Sequence, residues 1–152
     1  MRDSGVIGLI SGIAGGIVFQ VFIWISTIFG IAGVTPSQIG AYLFANSTEI
    51  TTLSAQIIGM VAHLINSAIL GVILVYILRL MGTDYLWVKG VAYGGAIHLL
   101  AYGAILRIFI PVKVLQPNLP TSLVFFISHI IFGIVTVFVA GHYLKEGFRT
   151  NR

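Results

Sequence analysis

Residues 62–79 read AHLINSAILGVILVYILR, and residues 128–145 read SHIIFGIVTVFVAGHYLK. The two stretches align without a gap, pairing His63 with His129 and Arg79 with Lys145. A bilayer core of roughly 30 Å is crossed by about 20 apolar helical residues. Each stretch therefore reads as most of a membrane span with a histidine in its outer half and a cation at its end.

Composition agrees. The chain has 152 residues, 58% hydrophobic and only 8% charged, and a mean hydropathy of +1.06. A soluble domain carries about 25% charged residues, so so few charges fit a chain whose solvent is lipid. One unit, a single transmembrane domain over residues 1–152, is expected at this length. The net charge of +4 sits at the ends of the apolar runs. It reads as topology rather than as a nucleic-acid footprint. There is no cysteine, which excludes disulfides, thiolate chemistry, Cys-ligated zinc and iron–sulfur clusters. The first apolar run is too long for a signal-peptide core and reads as a retained span.

Working outward from the two histidine stretches places spans at about residues 6–29, 53–80, 87–110 and 121–144. In the first, Gly8, Gly12, Gly16 and Gln20 are four apart and share one helix face, which lets another backbone approach closely. In the second, Gln56, Gly59, His63, Asn66, Ser67 and Gly71 form a small-and-polar stripe expected to face other helices, because polar groups facing lipid are unfavourable. In the third, Gly90, Gly94 and His98 repeat the four-residue spacing. Between the first two spans, Thr35-Pro36-Ser37-Gln38 has the form of a capping box with proline at the first helical position. It predicts a short helix over residues 36–45, lying in the membrane interface on Ile39, Tyr42, Leu43 and Phe44. Asn46 with Glu49 is a second cap, expected to open the next span. Gly82, then Thr83 or Asp84, makes a tight turn into the third. Pro111, Pro117 and Pro120 keep the next loop non-helical.

Arg2, Arg79, Lys89, Lys145, Arg149 and Arg152 fall on one side of the membrane, and Arg107 and Lys113 on the other. The positive-inside rule then puts both termini in the cytoplasm. Gly12, Gly16 and Gln20 correspond in order to Gly90, Gly94 and His98, and each set is followed by a proline loop and a histidine span. The expected architecture is an all-α membrane four-helix bundle of two parallel two-helix repeats, with a pseudo-two-fold axis along the membrane normal.

Three readings of the histidine layer follow. In the first, His63, His98 and His129 are interhelical hydrogen-bonding groups, packed with Gly12, Gly16, Gln20, Asn66, Ser67, Gly90, Gly94 and Gly133. In the second, His63 and His129 hold a b-type haem, one ligand from each half, with Gly59 and Gly133 leaving room for the macrocycle. In the third, an oligomer conducts protons or small solutes past the intramembrane histidines. No carboxylate lies inside a span to complete a hard-metal site or orient an imidazole, so no metal and no enzyme activity are expected.

His63-Leu64-Ile65 with Gly71, Lys89-Gly90 with Gly94, the proline loop and His129 with Gly133 resemble the small four-span bacterial membrane proteins of the YqhR type, over residues 58–144. That resemblance implies a bacterial inner-membrane location. It implies no activity and transfers no functional residue. The leading expectation is a non-enzymatic accessory or structural subunit of a membrane assembly, partnered by lipid and by other subunits or itself. It is expected to bind no cofactor, with haem b as the alternative.

Overall fold

The computed structural model describes residues 3–105 and 118–149, and among these every regular element is helical. Helix α1 spans Ser4–Ile28, opened by Asp3, whose carboxylate accepts from the Gly5 amide at 2.8 Å. It closes at Gly30, whose φ of 71° lets Ile31 N–H donate back to Ser26 O at 2.9 Å; glycine takes this left-handed conformation without a Cβ penalty. Helix α2 is Pro36–Ala41, α3 is Leu53–Met81 and α4 is Leu86–Ile97. The chain continues from α4 as a π-helix over His98–Ile105, and α5 is Leu119–Arg149. Three helices, Ser4–Ile28, Leu53–Met81 and Leu119–Leu144, are long and apolar enough to cross a membrane, and Leu86–Ala101 is a shorter apolar helix. The third expected span is thus α-helical only to Ile97. Its residues 106–110, with Arg107, Lys113, Pro111 and Pro117, lie outside the described residues.

Glycine sets the packing. A Cβ on Gly12 would stand 2.9 Å from Ala68 Cα, and one on Gly71 2.5 Å from Gly12 Cα, so α1 lies backbone to backbone on α3. A Cβ on Gly90 would stand 2.8 Å from Ile134 Cα, and one on Gly133 2.8 Å from Gly94 N, so α4 lies in the same way on α5. Helix α1 also packs on α5, where Gly15 faces Thr136 and the Phe132 ring. Such close approach replaces the hydrophobic drive that lipid does not supply. Between α3 and α4 the link is a side chain: Tyr93 Oη–H donates to Leu70 O.

Three apolar clusters result, the smallest of them Ala41, Ile50 and Ala55 between α2 and the start of α3. One of the larger two, at the Gly82 end, gathers Ile7, Leu74, Leu78, Leu86, Val137 and Leu144. The other, at the α2 end, gathers Phe19, Ile23, Val34, Ile97, Phe125 and Phe132. The outward face is also apolar: Ile17, Ile25 and Ile65 are 49%, 49% and 57% exposed, a surface suited to acyl chains rather than water.

Several local expectations change. The helix after Thr35 has its capping box, with Thr35 N–H donating to Gln38 Oε1 at 2.8 Å. It stops at Ala41, however, and packs against α3. Gly40 and Gly59 face one another, and this lets α2 leave the surface. Asn46 and Glu49 close a turn instead of opening α3. The cap is Thr52, which accepts from Ala55 N–H at 3.4 Å. Tyr85, with φ 50° and no side-chain cap, precedes α4 in place of Thr83 or Asp84. Lys89 supplies what that turn lacks, donating to Met81 O and Gly82 O at 2.9 and 2.8 Å, a cation on the carbonyl end of α3. Asn118 caps α5 through Thr121 N–H at 3.0 Å, which places Pro120 in the first helical turn, where proline is tolerated, rather than in the loop.

Candidate functional site

The interior polar groups meet where α1, α3, α5 and the start of the π-helix converge. Gly16 has no side chain and leaves its carbonyl accessible, and His63 Nε2–H donates to it at 3.2 Å. His129 Nδ1 lies 2.7 Å from Phe125 O, one turn earlier on its own helix. A carbonyl only accepts, so these contacts put the proton on Nε2 of His63 and on Nδ1 of His129. His98, the first π-helical residue, brings its Nδ1 to 3.4 Å from His129 Nδ1. With that proton directed at Phe125 O, the contact from His129 to His98 Nδ1 is the longer and weaker of the two. Short π-helical segments inside α-helices cluster at functional sites. Here the segment begins at the residue that reaches across to α5.

Phe19 connects the layer. Its ring centroid is 5.2 Å from that of His63 and 4.8 Å from that of His129. The phenyl ring touches both imidazoles, one on α3 and one on α5. A haem held by His63 and His129 would need the space that Phe19 fills. The room expected beside Gly59 holds the α2 backbone, with Ala41 N 2.6 Å from a Cβ built there, and the room beside Gly133 holds the α4 backbone. The residues therefore do not fit a macrocycle between these two imidazoles.

One turn further out on α1, Gln20 is 1% exposed. Its Nε2 donates to Ser37 Oγ of α2 at 2.9 Å, while its Oε1 has no partner among the described residues. Gln20 precedes the last α1 residue, Ile28, by eight positions, so α2 reaches about 12 Å back along α1. Irregular backbone is tolerated at membrane depth where protein covers it, and α3 covers this segment.

Among the expected packing residues, Gly12, Gly16 and Ser67 meet at the α1–α3 contact, and Gly90, Gly94 and Gly133 meet at the α4–α5 contact. Asn66 differs. It lies near the middle of α3 and is exposed, with no hydrogen-bond partner for its amide among the described residues. One turn further along α3, the Leu70 carbonyl accepts from the Tyr93 hydroxyl of α4. Phe19, Ser37, Lys89 and Tyr93 were not legible as partners in the sequence. An aromatic at membrane depth, a serine in a capping box and a lysine at a span end each have an ordinary local explanation. Among the described residues no group of three or more His, Asp or Glu is placed to hold a metal ion.

The fold and this layer define a helical protein with membrane-spanning character and a histidine-containing polar interior. No protein-family model, curated protein or solved structure matches the chain.

Proposed function

We propose that the chain is a four-span integral membrane protein of a bacterial or archaeal cytoplasmic membrane. Both termini are cytoplasmic, and it acts without catalysis as an accessory or structural subunit of a membrane assembly. The observation that carries this is the use of the interior imidazoles. His63 is tied to Gly16 O and His129 to Phe125 O, with His98 on His129. These bonds join helices to one another and brace α5, which makes a rigid packed body whose remaining chemistry is on its surface. Interhelical hydrogen bonds of this kind contribute roughly 0.6 kcal/mol each and seldom more than about 2 kcal/mol.

We read the body as two parallel repeats, α1 with α3 and α4 with α5. On the sequence alignment Gly12 corresponds to Gly90 and Ala68 to Ile134, and the built Cβ distances of the two pairs are 2.9 and 2.8 Å. Gly15 corresponds to Tyr93 and Thr136 to Leu70. Gly15 abuts Thr136, and Tyr93 hydrogen-bonds Leu70. Corresponding residues thus meet in both halves, which supports the repeat.

The test is purification in mild detergent followed by native mass spectrometry, beside oxidised and dithionite-reduced absorption spectra. A mass above that of the single chain and lipid, with no Soret band, is expected. A monodisperse monomer, or a haem b spectrum lost in both His63→Ala and His129→Ala, would overturn the reading.

A further inference from the structure

The uncovered flank of α3 has a heptad pattern. Ala55, Gly59, Ala62, Asn66, Ile69, Ile73, Tyr76 and Leu80 are separated alternately by four and three residues. That spacing forms the seam of a left-handed helix pair. Its outer end is already an interface, because α2 covers Ala55 and Gly59. From Asn66 onward the seam continues without cover. Ile69, Ile73, Tyr76 and Leu80 are 54%, 47%, 55% and 89% exposed, and Asn66 is exposed.

From this we infer that α3 is a homodimerisation helix, with a second copy of this chain as the occupant of the seam and Asn66 as the paired polar residue. The inference deepens the assembly reading and rests on it, by naming the partner. Three points select a second copy. An amide carries one acceptor oxygen and an NH₂ donor, so Asn66 is electrostatically complementary to itself. Two copies inserted by one charge rule have the same orientation. A two-fold axis along the membrane normal then sets the two α3 helices parallel, with Asn66 facing Asn66 at one depth. Finally, a single asparagine at one seam position is a device that fixes register in parallel helix pairs, and Asn66 is the one asparagine of this seam.

The chain has no cysteine of its own, so single cysteines report contacts directly. Ile69→Cys, Ile73→Cys and Val61→Cys are oxidised with copper phenanthroline in native membranes. Val61 is 52% exposed but lies about 120° round the helix from Ile73. The expected result is a covalent dimer at Ile69 and Ile73 and not at Val61. Adding Asn66→Leu to a fluorescently labelled pair in lipid vesicles should raise the dimer dissociation constant about tenfold. Equal cross-linking at Val61 and Ile73, or none at Ile69 and Ile73, overturns the dimer, and the cross-linking result stands whether or not Asn66→Leu folds. The native mass then separates the two ideas. A complex with a different protein removes the dimer and leaves the assembly reading intact, whereas a monomer throughout removes both.

Discussion

Two adjacent glycines on α4 should respond oppositely to the same change. A Cβ on Gly94 would stand 2.7 Å from His129 C and 2.8 Å from Ile130 Cα, and would also strike His129 O. All three are atoms of the α5 backbone, which no rotamer change can move. Ordinary contact begins near 3.4 Å, and the struck carbonyl oxygen is the nearest of the three, so α4 would have to retreat by well over 0.7 Å at that point. Overpacking of this kind costs about 1–3 kcal/mol, against a gain of about 0.8–1 kcal/mol from replacing glycine by alanine in a helix. Gly94→Ala should therefore be destabilised by up to about 2 kcal/mol. A Cβ on Gly95 meets only Ile130 Cδ1, at 3.8 Å, so Gly95→Ala keeps the helix gain and should be stabilised by up to about 1 kcal/mol. Thermal unfolding in one detergent, followed by far-UV circular dichroism, measures both. The midpoints should separate by about 5 °C or more, with wild type between them. The retreat would also stretch the 3.4 Å contact between His98 and His129 past hydrogen-bond reach. Equal midpoints for the two variants, or a more stable Gly94→Ala, would refute the backbone-on-backbone register of α4 and α5.

Three further outcomes follow from the same contacts. Ser37→Ala strips the buried Gln20 amide of its one hydrogen bond and should cost about 1–3 kcal/mol, whereas adding Gln20→Leu, which removes the stranded amide itself, should recover part of that loss in a double-mutant cycle. Tyr93→Phe removes the hydroxyl that joins α4 to α3 and should cost about 1 kcal/mol in the same unfolding assay. Lys89→Met uncaps α3 at Met81 O and Gly82 O and should cost about 0.5–1 kcal/mol, more at low than at high ionic strength, read by the same unfolding assay.

The helices were legible because lipid imposes a simple rule: long runs free of charge must be helical to satisfy their own backbone. Glycines four apart, such as Gly12 with Gly16 and Gly90 with Gly94, likewise marked the faces where helices touch. Features depending on a partner distant in sequence were less legible. Nothing local to Thr35-Pro36-Ser37-Gln38 says that Ser37 turns inward to Gln20; that requires Gly59 on α3 to admit the α2 backbone. Asn66 belonged by spacing to the inward stripe of α3 but is exposed, because which flank of a stripe is covered depends on where the other helices lie. The histidines were legible as a layer. Phe19, which touches two of them, was not, because an apolar ring among apolar residues carries no signal.

Two exchanges within the proposed repeat account for the difference between its halves. Where α1 has Gly15, α4 has Tyr93; where α5 has Phe132, α3 has Asn66. Gly15 lets α1 sink onto α5 and bury Phe132 to 3% exposure. The corresponding tyrosine joins α4 to α3 through its hydroxyl, and Asn66, at the position that corresponds to Phe132, is exposed. In one half a glycine faces a large apolar side chain; in the other a tyrosine hydroxyl reaches a backbone carbonyl. Were Asn66 covered by α4, its amide would need a partner inside the bundle. Left uncovered at lipid depth, it needs one outside. On the proposed dimer, Asn66 is the group through which two monomers meet that need.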